Sequence, residues 1–285
     1  MRRSTTARVG QWDLVERIGT GQWSEVYAAR PHDCPRDRPA DYAVKIACSH
    51  PSLAATCGQL LQREGSVATR VSDPHLITVL EASQDHGTCY LVMPRLHGST
   101  VRGALDARGR LSTAHALWVA RQVAQALTAL HRAGWLHGDV KPGNIMVAPT
   151  GHATLFDLGF AVKLASPECQ SKKVIRGTMA YTAPEVISST AALDQSADIY
   201  SLGITLYEML TGHVPFATDD PDILFRAHRQ RPVPNPRRVV PGLARQVHAL
   251  ICRMLAKQSL RRPTAAELIW HLAELEIELF DDRVA

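Results

Sequence analysis

The octapeptide His137-Gly138-Asp139-Val140-Lys141-Pro142-Gly143-Asn144 constrains the fold of this chain more than any other stretch. It follows a run patterned as a helix, 114–132, and precedes the apolar triplet Ile145-Met146-Val147, so it has to turn the chain between a helix and a strand. It also sets a carboxylate (Asp139), an ammonium (Lys141) and an amide (Asn144) at short, fixed spacings. Those groups suit three tasks: orienting or deprotonating a hydroxyl, balancing migrating negative charge, and offering oxygen to a hard cation. Asp, Gly, Pro and Asn are also ordinary turn formers, so the octapeptide alone leaves a plain turn open.

With 285 residues and 45% hydrophobic residues, the chain has enough apolar material for a two-lobed molecule or two small domains. It lacks an uninterrupted apolar run of about 18 residues, and Arg2-Arg3 is followed by polar residues rather than an apolar leader core. Secretion and membrane anchoring are therefore not expected. The six cysteines, Cys34, Cys48, Cys57, Cys89, Cys169 and Cys252, form no CxxC pair and have no histidine at metal-ligand spacing. They read as reduced thiols of a cytoplasmic protein. The net charge of +5 is spread along the chain rather than gathered into a basic stripe with aromatics, so nucleic acid is not the expected partner.

Residues 1–9 read as an N-terminal arm. Alternation from Trp12 to Arg17 predicts a strand, and Gly19-Thr20-Gly21 predicts a turn into a second strand. Such a turn lets backbone N–H groups approach phosphate oxygens, although GxG also suits a plain hairpin. Proline-rich 30–41 is a loop, and Tyr42–Ala47 is an apolar strand interrupted by Lys45. A lysine there is either an edge-strand device or a buried cation with a purpose. A helix is expected over 53–70, carrying Glu64, then strands at 78–82 and 89–93 and a break at 94–98. Ser112-Thr113 should cap a long helix ending at Gly134, with Leu117, Ala120, Val123, Ala124, Leu127 and Leu130 on its buried face. Strands at 145–147 and 153–156 form a hairpin delivering Asp157-Leu158-Gly159. A polar stretch, 160–182, leads to Gly177-Thr178-Met179-Ala180-Tyr181-Thr182-Ala183-Pro184-Glu185. An apolar helix from Asp198 to Leu210 and three further helical patterns, 222–229, 243–255 and 265–280, complete the chain.

Taken in order, these motifs resemble those of the eukaryotic-type (Hanks-type) serine/threonine protein kinases of bacteria. The resemblance implies an α+β, bilobal protein-kinase fold with a small β-rich N-lobe (10–93), a hinge (94–98) and a larger, mostly helical C-lobe (99–282), as one domain over 10–280. It implies transfer of the γ-phosphoryl group of ATP to protein Ser or Thr hydroxyls in signalling, with Mg²⁺ or Mn²⁺ as the metal. Asp139, Lys141 and Thr178 would serve catalysis, and Asn144 and Asp157 would hold the metal. Ile18, Gly19, Thr20, Gly21, Val26, Ala43, Lys45, Glu64, Met93, Leu96 and Met146 would form the nucleotide site. In that set Lys45 grips the α and β phosphates and pairs with Glu64, and Met93 guards the back of the adenine pocket. Pro94 has no N–H, so a hinge hydrogen bond to the base would use its carbonyl or the N–H of Leu96. By the same resemblance Glu185 pairs with Arg262, and Asp198 holds the catalytic-loop backbone. Expected partners are protein substrates and a transient homodimer for autophosphorylation, without nucleic acid or membrane.

Gly138 departs from the family, which usually has Arg there. His-Gly-Asp is also how the loop reads in phosphotransferases that modify aminoglycosides and choline, which lack the Gly-Thr-x-x-Tyr-x-Ala-Pro-Glu signature. A small-molecule phosphotransferase and a pseudokinase scaffold are thus the alternatives. Without the Arg cation, activity is expected to be largely independent of phosphorylation in 160–182.

Overall fold

The computed structural model describes residues 7–48, 52–164, 166, 178–188 and 193–284. The chain forms two compact units, one of residues 1–72 with 77–97, the other of 73–76 with 98–285. Ser171, Lys172, Lys173, Arg176 and Gly177 of the sequence motifs, and Cys169, lie outside the described residues.

The first unit is an antiparallel sheet with one helix. Its strands are β1 (Arg8–Val9), β2 (Trp12–Thr20), β3 (Ser24–Pro31), β4 (Tyr42–Ala47), β5 (Glu81–Asp85) and β6 (Thr88–Pro94), with helix α1 (Ala54–Ala68) between β4 and β5. The sheet order is β1-β2-β3-β4-β6-β5. Side chains alternate across a strand, and here the alternation separates two jobs. Val44 and Val92, opposite each other in register, join Val9, Leu14, Ala29 and Tyr90 in a core on one face. The neighbouring pairs Ala43↔Met93 and Lys45↔Leu91 project to the other face, where α1 packs.

That packing depends on Gly65 of α1. A Cβ there would lie 2.8 Å from Ala82 Cβ and 3.0 Å from Leu91 Cδ2, so only glycine lets the helix approach this closely. The glycine costs about 1 kcal/mol of helix propensity, offset by burial of Cys57, Leu61, Val67 and Ala68.

Two sequence expectations change in this unit. Arg8–Val9, placed in the arm, pair with Trp12 and Asp13, and Val9 is buried. The strand expected at 78–82 begins at Glu81, because the chain before it is drawn away: Leu76 bridges to Leu155, and His75 O accepts from Leu155 N at 2.8 Å within the second unit.

The second unit is mostly helical. Its small strands are β7 (Ser99–Thr100), β8 (Trp135–Leu136), β9 (Ile145–Val147), β10 (Ala153–Leu155) and β11 (Val162–Lys163). Its helices are α2 (Val101–Arg108), α3 (Thr113–Arg132), α4 (Pro184–Ser188), α5 (Ser196–Thr211), α6 (Pro221–Gln230), α7 (Arg245–Met254) and α8 (Ala265–Val284). Ser112 caps α3 by accepting from His115 N, and the predicted stripe from Leu117 to Leu130 is fully buried. α5 is buried on almost every side, packed by α3 and α7. The hairpin β9–β10 forms as expected, whereas α2, capped by Thr100, was not foreseen. No described helix is long and apolar enough to cross a membrane.

Candidate active site

In the first unit, Lys45 on β4 and Glu64 on α1 meet at 2.6 Å, with side chains 12% and 3% exposed. Sheet alternation turns Lys45 towards α1, and Glu64 lies on the buried face of that helix, so pairing compensates the cost of hiding both charges. Lys45 is opposite Val26 in register, and Ala43 is opposite Met93, which is buried. Gly19 pairs with Val26, Thr20 with Glu25, and the turn closes through Gly21 N to Ser24 O at 2.9 Å. Ile18 is exposed and Leu96 half-buried.

The second unit holds a tighter cluster. Asp139 is 4% exposed, and both its carboxylate oxygens are occupied. Oδ2 accepts from Lys141 Nζ at 2.6 Å and from Asn144 Nδ2 at 3.0 Å. Oδ1 accepts from Thr178 N at 3.0 Å and from Thr178 Oγ1 at 3.3 Å. Lys141 Nζ also donates to Thr178 Oγ1 at 2.7 Å. Four side chains from two separate segments thus converge, and Thr178 sits beside Asp139 and Lys141 as the sequence motifs suggest. Asn144 Nδ2 donates also to Asp139 O at 2.8 Å, which leaves Oδ1 as the amide's acceptor atom.

The loop geometry is held from beneath by Asp198 on α5. One oxygen accepts from His137 N and from His131 Nε2, each at 2.9 Å; the other accepts from Gly138 N at 2.9 Å. Burial alone would raise the Asp198 carboxyl, but the hydrogen bond and charge of His131 and the Gly138 N–H outweigh it and hold the group below the ordinary carboxylate value. The backbone at Gly138 has φ 79°, and a Cβ there would lie 2.7 Å from Phe160 O. Glycine at this position is therefore demanded by the chain path itself.

His137 links the loop to Asp157. Its Nδ1 accepts from Asp139 N at 3.2 Å, which puts the proton on Nε2, and Nε2–H donates to Phe156 O at 3.2 Å. Phe156 N donates to Asn144 O at 3.0 Å. Both backbone groups before Asp157 are thereby fixed, and Asp157 itself adopts the left-handed conformation, φ 70° and ψ 69°, uncommon for a non-glycine residue. Met146, on β9, is half-buried and opposite Thr154 and Thr100 in register.

Behind Thr178, Glu185 and Arg262 form a two-pronged ion pair at 2.6 and 2.8 Å. Arg262 also donates to Ser196 O and Ala256 O and lies 4.8 Å over the Tyr200 ring. A network the motifs did not reveal anchors the same segment: Tyr181 Oη donates to Glu208 at 2.6 Å, and Arg102 of α2 donates to Glu208 and to Tyr181 Oη. The available sequence signal was Glu208, a carboxylate inside the apolar run of α5.

A carboxylate, ammonium and amide gathered on one hydroxyl-bearing segment, with a second carboxylate fixed close in sequence, define a phosphoryl-transfer domain of the two-unit α+β type. The chain belongs to the protein kinase family: the family model described as "Protein kinase domain" matches residues 12–272. It is 33% identical over 285 residues to a probable serine/threonine-protein kinase, pknA2, of Bifidobacterium longum, covering 96% of this chain and 37% of that protein. It is 32% identical over 275 residues to the serine/threonine-protein kinase PknD of Mycobacterium tuberculosis, covering 96% of this chain and 40% of that protein. With PknJ of Mycobacterium bovis it shares 32% over 266 residues, 91% of this chain and 44% of that protein. The chain therefore spans well under half the length of these curated relatives. Members of the family use ATP and a divalent metal ion.

Proposed function

We propose that this chain is the catalytic domain of a serine/threonine protein kinase that transfers the γ-phosphoryl group of ATP to a protein hydroxyl. The observation that carries the proposal is the convergence of Asp139, Lys141, Asn144 and Thr178. In this reading Asp139 orients the acceptor hydroxyl and takes its proton, Lys141 offsets the charge on the phosphoryl oxygens, and Thr178 places the acceptor segment. Lys45, fixed by Glu64, holds the α and β phosphates. Ile18, Gly19, Thr20 and Gly21 cover the nucleotide, and Val26, Ala43, Met93, Leu96 and Met146 contact its base.

The metal set would be Asn144 and Asp157. Asn144 fits because its NH₂ is spent on Asp139, so its oxygen is the atom turned to a cation; two oxygen donors suit Mg²⁺ better than a soft metal. The cation would draw charge from the β- and γ-phosphate oxygens. In this reading the domain works in the cytoplasm, where ATP is available, with Ser or Thr residues of a protein as acceptors.

The alternative of a small-molecule phosphotransferase rested on Gly138. It is disfavoured because the Thr178–Glu185 segment, which contacts Asp139 at one end and Arg262 at the other, is a protein-acceptor feature in the family. The test is transfer of label from ATP and Mg²⁺ by wild type and Asp139→Asn, to a generic protein and to a panel of amines and sugars. Asp139-dependent phosphoserine or phosphothreonine is expected. Label on small molecules alone, or ATP binding without transfer, would overturn the proposal.

A further inference from the structure

Within the second unit, the segment Asp73–His75, the C-terminal half of α3 and the start of α8 line a cavity of about 390 Å³. That size suits a small molecule. Its walls are fixed by contacts of their own. Arg121 of α3 donates through Nε to both carboxylate oxygens of Glu276 on α8, at 2.9 and 3.0 Å. The segment is tied to the β9–β10 hairpin: His75 Nδ1 donates to Ala153 O and His152 Nε2 to Pro74 O, each at 2.9 Å, and the two imidazole rings stack 4.7 Å apart.

The lining divides by chemistry. Ala129, Ala266, Ile269 and Trp270 make an apolar wall, and Trp270 is left 74% exposed, an uncommon position for so large an apolar side chain. Asp73 and Arg132 line the same cavity with opposite charges, yet among the described residues neither has an ionic partner. Asp73 Oδ1 accepts from His75 N at 2.8 Å, which aims the carboxylate and leaves Oδ2 for a ligand. The Nδ1–H of His75 is spent on Ala153 O, so Nε2 of the neutral ring is an acceptor. Gln125 Oε1 is shielded from water and accepts no hydrogen bond among the described residues. Its terminal torsion is soft, so the amide can turn to a donor placed in the cavity and lose the cost of an unmet acceptor.

We propose that this cavity binds a small zwitterion with an apolar body, the chemistry of a free aromatic α-amino acid. Its ammonium donates to Asp73 Oδ2 and Gln125 Oε1, its carboxylate takes the guanidinium of Arg132, and its ring lies against Ile269 and Trp270. A ligand with one charge would cover either Asp73 or Arg132 without pairing it; a zwitterion pairs both. The site shares no residue with the cluster around Asp139, so binding there stands or falls apart from the kinase reading.

The full chain is titrated calorimetrically with L-phenylalanine, with phenethylamine, which lacks the carboxylate, and with 3-phenylpropionate, which lacks the ammonium. L-Phenylalanine is expected to bind with a Kd below about 1 mM, and each analogue at least about tenfold more weakly. Arg132→Gln should bring L-phenylalanine down to the level of phenethylamine, and Trp270→Ala should weaken it by about fivefold or more. Both residues are exposed, so both variants should melt as wild type does. Asp73→Asn, which keeps the acceptor for His75 N, should weaken L-phenylalanine about tenfold. A Kd for L-phenylalanine above about 1 mM, either analogue binding as tightly as the amino acid, or affinity unchanged in Arg132→Gln or Trp270→Ala would overturn the proposal. Displacement of L-phenylalanine by an ATP analogue would place it in the nucleotide site and overturn it equally.

Discussion

Asp198 is the residue whose loss should separate stability from catalysis most informatively. Its carboxylate is 1% exposed and accepts from His137 N, Gly138 N and His131 Nε2, each at 2.9 Å. Hydrogen bonds to a charged acceptor are worth about 1.5–3 kcal/mol, and an orphaned buried donor costs about 1–3 kcal/mol. Asp198→Ala strands all three donors, so a loss of about 4 kcal/mol is expected. Asp198→Asn keeps one acceptor oxygen but aims an NH₂ at the remaining donors, for about 2 kcal/mol. Both losses fall within a typical folding stability of about 5–15 kcal/mol, and the Asn variant in particular should remain folded. The donors Gly138 N and His137 N immediately precede Asp139, and a shift of about 1 Å in a catalytic group costs about 100-fold in rate. Urea unfolding and labelled-phosphate transfer should therefore show kcat falling further than stability alone predicts. The carboxyl is held below its ordinary value of 3.8, so its contribution is complete above that value and is lost as pH falls through the depressed folded value. Asp198→Asn should lack this part of the acid unfolding limb. An Asn variant with unchanged urea midpoint and a kcat within about twofold of wild type would refute the scaffold role assigned to this carboxylate.

Arg262→Ala leaves the Glu185 carboxylate buried without its cation and should cost about 3–5 kcal/mol, whereas Glu185→Leu with Arg262→Met should recover more than half of that in urea unfolding. Gly138→Ala must adopt φ 79° and meet Phe160 O; about 2 kcal/mol of destabilisation is expected, with a larger proportional fall in phosphate transfer than the urea midpoint implies. Among the described residues Lys257 Nζ has no hydrogen-bond partner, and it lies 4.6 Å from the Phe216 ring; burial, then the charge of Arg262, lowers it to about 8 from 10.5. Its proton is bound more tightly by the unfolded chain, so wild-type stability should rise between pH 8 and 10.5, and Lys257→Met should abolish that rise in thermal melts.

What could be read from the sequence was chemistry that contradicts its surroundings. Lys45 interrupts an apolar strand and meets Glu64, and Asp139, Lys141 and Asn144 stand together where a mere turn needs no charges and gather with Thr178. The α3 stripe was legible because a single period governs 20 residues. What escaped depended on distant partners. Thr78-Val79-Leu80 alternates like a strand, yet Leu80 is 54% exposed and the preceding Leu76 is committed to Leu155. Helix α2 is only eight residues long with Gly103 inside it, too short for periodicity to register. Arg102, Tyr181 and Glu208 come from three separate segments, so no local pattern could announce their hydrogen bonds. Arg8–Val9 earn their strand only by pairing with the neighbouring Trp12 and Asp13.

Gly138 joins the backbone and the charge of the site. The usual Arg at this position would add a cation next to Asp139, one that a phosphate on the following segment could neutralise. Here the site is glycine with φ 79° and a Cβ position 2.7 Å from Phe160 O, so chain path suffices to explain the residue, and it need not signal a different substrate class. Among the described residues, the one cationic side chain that contacts Asp139 is Lys141, at 2.6 Å, and Thr178 supplies the remaining donors on Oδ1. With no adjoining arginine to neutralise, phosphorylation has less electrostatic work to do in arranging this loop. Phosphatase-treated protein, and the double variant Ser166→Ala with Ser171→Ala, should retain phosphate transfer to a protein substrate within about threefold of untreated wild type, a change of less than about 1 kcal/mol in barrier. A loss of most activity on either treatment would mean that a phosphate orders the segment by contacts other than an arginine beside Asp139, and the inference from Gly138 would fall.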